Sequence, residues 1–365
     1  MGFLDREREA LATALPGLDD KLVHCGLTAL EQPVNPGLGL FSDAGGPGLL
    51  VPAEHGGTGA SAVDAVRCTR AIGARSPSLA IAATMHNFSV ASLVALAERS
   101  DGCEWMLIDA VANDRLLMSS AFAEGRSGQN ILRPAMRADR RGDAWLVSGS
   151  KKPCSLSRSM DLLTMSVALD GDALGIAVIP AKQPGIAVRP FWNGLVLTGA
   201  ESDEVVLTDV EVPDELMVRP DGADDELQVI GMIWFSLLVG ASYLGAASAL
   251  AARMIEERRG SPDTRAEVCW SLDTAMFALE RVAAQLDRGE HDLASALSAR
   301  YGTQQVISRV TPTAVEALGG MAFIGSPEVA YLAAATHAVA FHPPSRTSLA
   351  GAFDTYFAGG ALCLG

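Results

Sequence analysis

The sequence predicts an α+β fold in which a small antiparallel β unit lies between two helical regions. Apolar residues recur at helical spacing before about residue 118 and again after residue 225, whereas short β-like runs bounded by turn sequences fill the stretch between them. With 365 residues, 49% apolar and 19% charged, the chain has enough apolar material for a large core. We therefore expect a helical domain over 1–118, a small β-barrel domain over 119–222 and a helical bundle over 223–365.

Local patterns give the individual elements of the first two domains. In the N-terminal domain, Gly- and Pro-rich segments separate stretches of helical period, and helices are predicted over 61–75, 80–98 and 101–113. In the central domain, Gly-containing turns separate short runs rich in β-branched residues. Strands are predicted there over 145–148, 162–169, 175–179, 185–189 and 204–207.

Four helices are predicted in the C-terminal domain, over 227–259, 263–288, 292–318 and about 327–340. The first contains a charge-free stretch over 228–252, which is long enough to span a bilayer. Its many Gly, Ala and Ser residues keep the hydropathy modest and allow close helix packing. We therefore expect a buried helix at the centre of the bundle rather than a membrane span.

Charge and cysteine content exclude several classes of function. The chain has 28 Lys and Arg against 43 Asp and Glu, a net charge of −15, so neither nucleic acid nor an anionic membrane is an expected partner. The six cysteines are scattered and show no metal-ligand spacing, and His337 and His342 are five apart, off a common helix face. We expect reduced thiols, no metal site and a cytoplasmic protein.

Five short motifs occur in a fixed order along the chain. They are LVPAEHGGTG at 50–59, AFAEG at 121–125, WLVSGSKK at 145–152, VLTDVEVP at 206–213 and ALGGMAF at 317–323. Together they resemble the acyl-CoA dehydrogenase superfamily across nearly the whole chain. The resemblance implies FAD between the β domain and the C-terminal bundle, and an acyl thioester of CoA or an acyl carrier protein as substrate. It also implies a homodimer or homotetramer, with an electron-transfer or flavin-reductase partner.

The same resemblance assigns cofactor-binding positions. These are Phe122, Ala123, Ser127, Gln129, Ser155, Arg258, Glu316 and Gly320. Ser155 retains the hydroxyl that the family directs at flavin N5, whereas Ala123 lacks the side-chain hydroxyl of the family's strand. Arg258, or its neighbour Arg259, falls near the family's phosphate-binding Arg. Glu316 stands where the family commonly has Gln near a partner subunit's flavin pyrophosphate, and an ionised carboxylate there would repel phosphate.

The family's catalytic base is missing from the sequence. Dehydrogenation needs a carboxylate that takes the α-proton, but Pro343 stands at the family's glutamate position and Phe235 near the alternative one. His342 is adjacent and is a predicted catalytic residue, together with His86. If His342 acts as the base, activity is expected to rise with pH near its ordinary pKa of about 6.5.

Three interpretations of function follow. The principal one is an FAD-dependent oxidoreductase acting on an acyl thioester. The second is a flavin monooxygenase of the same fold that uses reduced flavin, because KPCS at 152–155 resembles a segment of such enzymes and His86 and His342 match their two histidines. The third is a catalytically degenerate structural subunit. His86 has an alternative role as a core histidine whose nitrogens bind backbone groups.

Overall fold

The computed structural model describes residues 2–100, 102, 104–126, 133–219 and 225–363. Helices fill the described chain before the first strand. They are α1 (Asp5–Ala14), α2 (Leu18–Cys25), α3 (Leu27–Leu30), α4 (Pro36–Asp43), α5 (Ala62–Arg75), α6 (Pro77–Ala97) and α7 (Glu104–Asn113). Several begin with a capping side chain followed by Pro. The Asn35 side chain accepts a hydrogen bond from the Gly37 N–H at α4, and Ser76 accepts one from Leu79 at α6.

The described strands form two four-stranded sheets. The strands are β1 (Met118–Ala121), β2 (Ala138–Arg141), β3 (Ala144–Cys154), β4 (Leu162–Ala168), β5 (Leu174–Pro180), β6 (Ile186–Arg189), β7 (Asp203–Pro213) and β8 (Met217–Val218). One sheet has the order β1-β4-β5-β8 and the other β2-β3-β7-β6. The pairs are antiparallel except β1 with β4, which run parallel and align Ser120 with Thr164.

After the last strand, β8, the described chain is helical again. They are α8 (Asp225–Glu256), α9 (Pro262–Leu286), α10 (Leu293–Leu318), α11 (Gly320–Gly325), α12 (Pro327–Thr336) and α13 (Ala350–Phe357). The predicted α+β order of helices, small sheets and helical bundle is confirmed. The parallel β1–β4 pair was not expected from the sequence, because the contact joins segments 44 residues apart. The domain boundaries at 118 and 222 remain a prediction.

Several element boundaries differ from the predictions, and β3, predicted over 145–148, runs over Ala144–Cys154. Two of the differences illustrate local backbone geometry. β7 continues without a break beyond the predicted end at 207 to Pro213. It contains Asp209 at a left-handed φ of 50°, which Asp tolerates better than most residues, where the pairing with β3 shifts register between Val147 and Gly149. α12 stops at Thr336, and a 3₁₀ turn over His337–Phe341 leads into the Pro343-Pro344 pair. Since proline disfavours helix at the residue before it, the predicted helix to 340 was too long.

The charge-free helix α8 is buried at the centre of the molecule, as predicted. α6 and α8 are both long and apolar enough to cross a membrane, but 78% and 83% of their most apolar windows are buried within the fold. α8 packs against α5, α6, α9, α10 and α12. These two helices are therefore core helices.

Glycine permits the closest crossing in this core, between α5 and α8. A Cβ atom on Gly73 would lie 2.3 Å from the Ser242 carbonyl oxygen, and one on Gly245 would lie 2.4 Å from the Arg70 carbonyl oxygen. The two backbones therefore approach to a distance that no side chain allows at these positions.

A buried arginine ties four helices together beside this crossing. Arg70 of α5 is 0% exposed, and its guanidinium donates to Glu7 at 2.7 Å, to Asp273 at 3.0 Å and to the Ser248 hydroxyl at 3.1 Å. Its partners lie on α1, α9 and α8. Three of its N–H groups are thus paired and its charge is balanced, which is the condition under which a buried cation is tolerated.

Replacing Arg70 by Ala is expected to lower the free energy of unfolding by about 3–5 kcal/mol, because Glu7 stays buried without its counter-charge. Arg288→Ala is the matched control, since Arg288 is 58% exposed and pairs with Glu290 on the surface. Its effect is expected to stay below about 1 kcal/mol. Urea unfolding of both variants measures the difference; equal costs would show that Arg70 does not stabilise the fold through its ion pairs.

Candidate functional site

A cavity of about 220 Å³ lies where the helical regions meet the first sheet. α6 forms one wall, β1, β4 and β5 form another, and the first three turns of α8 form a third. The segment His342–Pro343 closes it from the C-terminal side. The cavity therefore lies at the junction of the N-terminal, central and C-terminal parts of the chain.

The lining of this cavity is almost entirely apolar. It includes Phe88 of α6, Trp192, and Phe235 of α8. Among the described residues that line it there is no Asp, Glu, Lys or Arg, and His342 is the sole ionisable side chain. The remaining polar groups are Ser89, Ser92, Ser120, Ser155, Thr164, Ser202 and Gln228. Such a lining suits an uncharged ligand with a few hydrogen-bonding atoms.

The structure brings four of the predicted site residues together at this cavity. They are Phe122, Ala123, Ser155 and His342. Pro343 and Phe235, which occupy the two positions where the family places its catalytic carboxylate, also line it. Two further predicted positions, Ser127 and Gln129, lie outside the described residues.

The other predicted cofactor positions lie at the far end of the helical bundle. Arg258, Glu316 and Gly320 are exposed there, and a Cβ on Gly260 would lie 3.0 Å from the Ala317 side chain, which places the turn after α8 beside the end of α10. From Phe235 to the end of α8 the helix extends by about 30 Å. These residues therefore do not join the cavity of their own chain.

A buried ion pair holds the Phe122–Ala123 segment in place. The Lys151 ammonium is 0% exposed and donates to the Glu124 carboxylate at 2.8 Å and to the Ser166 hydroxyl at 3.3 Å. The Glu124 carboxylate also accepts from the backbone N–H groups of Ala135 and Met136, at 3.0 Å each. Burial lowers the pKa of Lys151, and its hydrogen bond to the Glu124 carboxylate opposes that effect. Charge balance thus fixes the strand that leads into the cavity.

Hydroxyl groups mark the sheet side of the cavity. Ser155 Oγ lies 3.0 Å from Ser202 Oγ, so each hydroxyl already has a partner. Thr164 differs, because its Oγ1 is buried and has no hydrogen-bond partner among the described residues. A buried hydroxyl without a partner costs free energy, and a ligand in the cavity can supply one.

Two residues of the helical bundle form hydrogen bonds with His342. Its Nε2 lies 2.7 Å from the hydroxyl of Tyr243 on α8, and its carbonyl oxygen accepts a hydrogen bond from Arg300 on α10 at 2.5 Å. Desolvation, with a smaller contribution from the Arg300 charge, lowers the pKa of His342 to about 3. The predicted rise of activity near pH 6.5 is therefore not expected from His342, because its imidazole is already neutral there.

His86 is a residue of α6, but its side chain does not line the cavity. It is 0% exposed; its Nε2 lies 3.0 Å from the Pro47 carbonyl oxygen, and its Nδ1 accepts from the Met118 N–H at 3.0 Å. Both nitrogens are therefore used by backbone groups. Desolvation lowers the pKa of His86 to about 4. This geometry favours the alternative role of His86 as a core histidine that joins α6 to β1; its catalytic role stays a prediction.

Sequence reasoning missed Tyr243, Arg300 and Thr164. Tyr243 is the one tyrosine in the charge-free stretch of α8, which is a weak signal that it has a polar task. Arg300 lies on α10, and an arginine is ordinarily expected to be exposed to solvent, so the sequence did not indicate its burial. Nothing in the sequence identifies Thr164 among the other threonines of the strands.

The chain is similar along its whole length to one characterised protein. The isobutylamine N-hydroxylase of Streptomyces viridifaciens is 46% identical over 376 aligned positions, which cover 99% of this chain and 100% of that protein. No family model matches the chain.

Solved structures show the same fold at low identity. KijD3 in complex with FMN and dTDP-3-amino-2,3,6-trideoxy-4-keto-3-methyl-D-glucose has a TM-score of 0.83 and 17% identity, covering 97% of this chain and 94% of that one. Butyryl-CoA dehydrogenase from Megasphaera elsdenii has a TM-score of 0.82 and 16% identity, covering 95% and 96%. One arrangement of helices and sheets is therefore shared by an acyl-CoA dehydrogenase and an aminosugar-binding flavoprotein.

His86 is expected to make the fold less stable in acid. Below pH 6.5 the unfolded chain protonates this side chain, whereas the folded protein holds its pKa at about 4, so protons favour unfolding in that range. Displacing the pKa from 6.5 to about 4 is worth about 3 kcal/mol. The free energy of unfolding, measured by urea titration, should fall between pH 6.5 and 4.

Two variants isolate this contribution. His86→Gln should be less stable at neutral pH and should lose part of the acid dependence, because no imidazole remains to be protonated. His24→Gln changes an exposed imidazole and should keep the acid dependence of the parent. Identical pH profiles for His86→Gln and the parent would contradict the assignment.

Proposed function

Because the chain belongs to the acyl-CoA dehydrogenase superfamily, we propose that it is a flavin-dependent monooxygenase that N-hydroxylates a small primary amine. The observation that carries this proposal is the cavity lining, in which His342 is the sole ionisable described residue and no carboxylate is present. The 46% identity to an amine N-hydroxylase over the full length supports the same substrate class. The monooxygenase class is the second of the interpretations drawn from the sequence, whereas the amine substrate was not among them.

The cavity does not favour dehydrogenation of an acyl thioester. That reaction needs a base to remove the α-proton, and the two family positions for the base hold Pro343 and Phe235, whose side chains cannot accept a proton. His342 is a poor substitute because its pKa is lowered to about 3. An amine needs no such base, since its nitrogen lone pair is the nucleophile.

The proposed reaction balances with reduced flavin and O₂ as co-substrates. One oxygen atom of O₂ is added to the amine nitrogen, giving R–NH–OH from R–NH₂, and the other leaves as water. A reduced flavin bound in the cavity would supply the two electrons and the activation of O₂. The chain's own task is to exclude water and to orient the amine.

The lining residues fit a flavin ring better than its phosphate. Ser155 and the unpartnered Thr164 offer hydroxyl groups on the sheet side, and Phe122 and Trp192 offer flat apolar surface. No cationic described side chain lines the cavity, so phosphate contacts must come from elsewhere. Weak phosphate contacts suit a flavin that is exchanged with a reductase, and either FMN or FAD meets this chemistry.

Three further assignments accompany the proposal. Arg258 and Glu316 lie too far from their own cavity to touch its flavin, which supports a homo-oligomer in which one copy completes the phosphate site of another. A flavin reductase is the proposed electron-supplying partner. We place the protein in the cytoplasm, which suits the free cysteines of the described chain, among them buried Cys68 and Cys154.

Purified protein supplied with reduced FMN, O₂ and isobutylamine is expected to form N-isobutylhydroxylamine, with one O₂ consumed for each product molecule. The physical reason is that the cavity holds the amine without a counter-charge and leaves its lone pair free. Product is measured by mass spectrometry and O₂ with an electrode. The control is anaerobic oxidised flavoprotein with butyryl-CoA, which should not bleach because the cavity lacks a base. Bleaching by butyryl-CoA without amine oxidation would contradict the proposal.

Thr164→Val tests whether the flavin uses the unpartnered hydroxyl. We expect flavin to bind about two- to tenfold more weakly, the loss of one hydrogen bond worth about 0.5–1.5 kcal/mol. The flavin-free protein should not be destabilised, because Thr164 Oγ1 has no partner there among the described residues. Fluorescence titration and thermal unfolding measure the two effects.

Thr311→Val is the matched control. Its Oγ1 is likewise buried without a partner among the described residues, but Thr311 lies on α10 and does not line the cavity. Flavin affinity should be unchanged in this variant. If both variants bind flavin like the parent, Thr164 is not a flavin contact.

A further inference from the structure

Arg300 on α10 is a buried cation with no carboxylate beside it. It is 1% exposed, and among the described residues its guanidinium hydrogen-bonds to backbone carbonyl groups and to no Asp or Glu. Its Nη1 donates to the Pro343 carbonyl oxygen at 3.2 Å and its Nη2 to the His342 carbonyl oxygen at 2.5 Å, while Nε has no partner. Burial lowers the pKa of Arg300 to about 10, so it remains charged at neutral pH.

The charge is stabilised by dipoles and ring faces instead. The guanidinium carbon lies 5.4 Å from the ring centre of Phe235 and 5.7 Å from that of Tyr301. Phe235 and both of the bonded carbonyl groups belong to residues that line the cavity. The positive field of Arg300 therefore acts on the cavity without a nearby anion to cancel it.

The groups that face His342 set its state. They are Tyr243 on α8, and Arg300 and Tyr301 on α10; Glu31 and Tyr331 lie beyond Tyr243. The buried Tyr243 hydroxyl has no other acceptor among the described residues, so we assign it as the donor to His342 Nε2. The remaining proton of a neutral ring is then on Nδ1. Glu31 is the one carboxylate in this set, and it is hydrogen-bonded to Tyr331 rather than to the imidazole.

We propose that Arg300 is a positioning residue that clamps the His342–Pro343 turn and keeps any second positive charge out of the cavity, so that the amine substrate binds as its free base. The substrate part of this inference rests on the proposed function. N-hydroxylation needs the nitrogen lone pair, which an ammonium ion lacks. A carboxylate in the cavity would bind the ammonium form, whereas an unbalanced cation disfavours it. Arg300 thus selects the reactive protonation state.

The first test is an NMR pH titration of the histidine rings in flavin-free protein without substrate. Loss of a signal in His342→Gln assigns the His342 resonance. In the parent and in Arg300→Lys, His342 should stay neutral down to about pH 5. In Arg300→Met, its midpoint should rise by about one pH unit or more. Arg309→Met, which removes an exposed arginine of the same helix, should leave the midpoint unchanged.

Because Arg300→Lys keeps the positive charge, a midpoint that stays low in Arg300→Lys but rises in Arg300→Met separates the effect of the charge from that of packing. An unshifted His342 in a folded Arg300→Met protein overturns the proposal. If Arg300→Met does not fold, the parent decides, because a parent His342 that titrates near its ordinary pKa of about 6.5 also overturns it. Since neither flavin nor amine is present, the outcome does not depend on whether the protein is an N-hydroxylase.

The second test compares choline with its uncharged isostere 3,3-dimethylbutan-1-ol as ligands of the cavity. The two differ only in a quaternary nitrogen or carbon atom. The parent is expected to bind 3,3-dimethylbutan-1-ol more than about tenfold tighter than choline. Arg300→Met should reduce this ratio of affinities, and Arg309→Met should leave it unchanged. Tighter binding of choline by the parent overturns the proposal. If neither binds, the His342 titration decides.

Discussion

Burial of one uncharged helix is the constraint on which the rest of the structure depends. α8 carries no charge from residue 228 to 252, so every face of that stretch has to be covered, and α5, α6, α9, α10 and α12 cover it. Its first turns line the cavity, its middle supplies Tyr243, and its last turn leads to Arg258. Because a helix has a fixed rise per residue, the packing of α8 sets the spacing of all three features.

The two buried arginines of this core differ in whether a carboxylate balances their charge. Arg70 is balanced by Glu7 and Asp273, so its field is cancelled within a few ångströms and its effect is confined to helix packing. Arg300 is surrounded by carbonyl groups and aromatic faces, so its field reaches the neighbouring cavity. Burial by itself therefore does not define an arginine's role; the presence of a carboxylate partner does.

The fold and part of the candidate site could be predicted from the sequence. Helical and strand periods, together with ordered motifs, place the elements and bring Phe122, Ser155 and His342 to one cavity, because these depend on local pattern and on family likeness. The hydrogen-bond partners of His342 could not be predicted from the sequence. Tyr243 is 99 residues away in the chain, and contacts at such separation leave no periodic signal. The roles of His86 and His342 also depended on burial, which alters a pKa without changing any residue.

The order of the elements along the chain has a consequence for synthesis on the ribosome. α5 and α6 are made before α8, but α9, α10 and α12 follow it, so the apolar faces of α8 that these three helices cover stay exposed until another 80 or so residues have been made. At ordinary elongation rates this interval lasts roughly 4–16 seconds. During that time the helix is a binding surface for chaperones and a starting point for aggregation. The net charge of the chain, −15 overall, opposes such association, because like-charged copies repel one another.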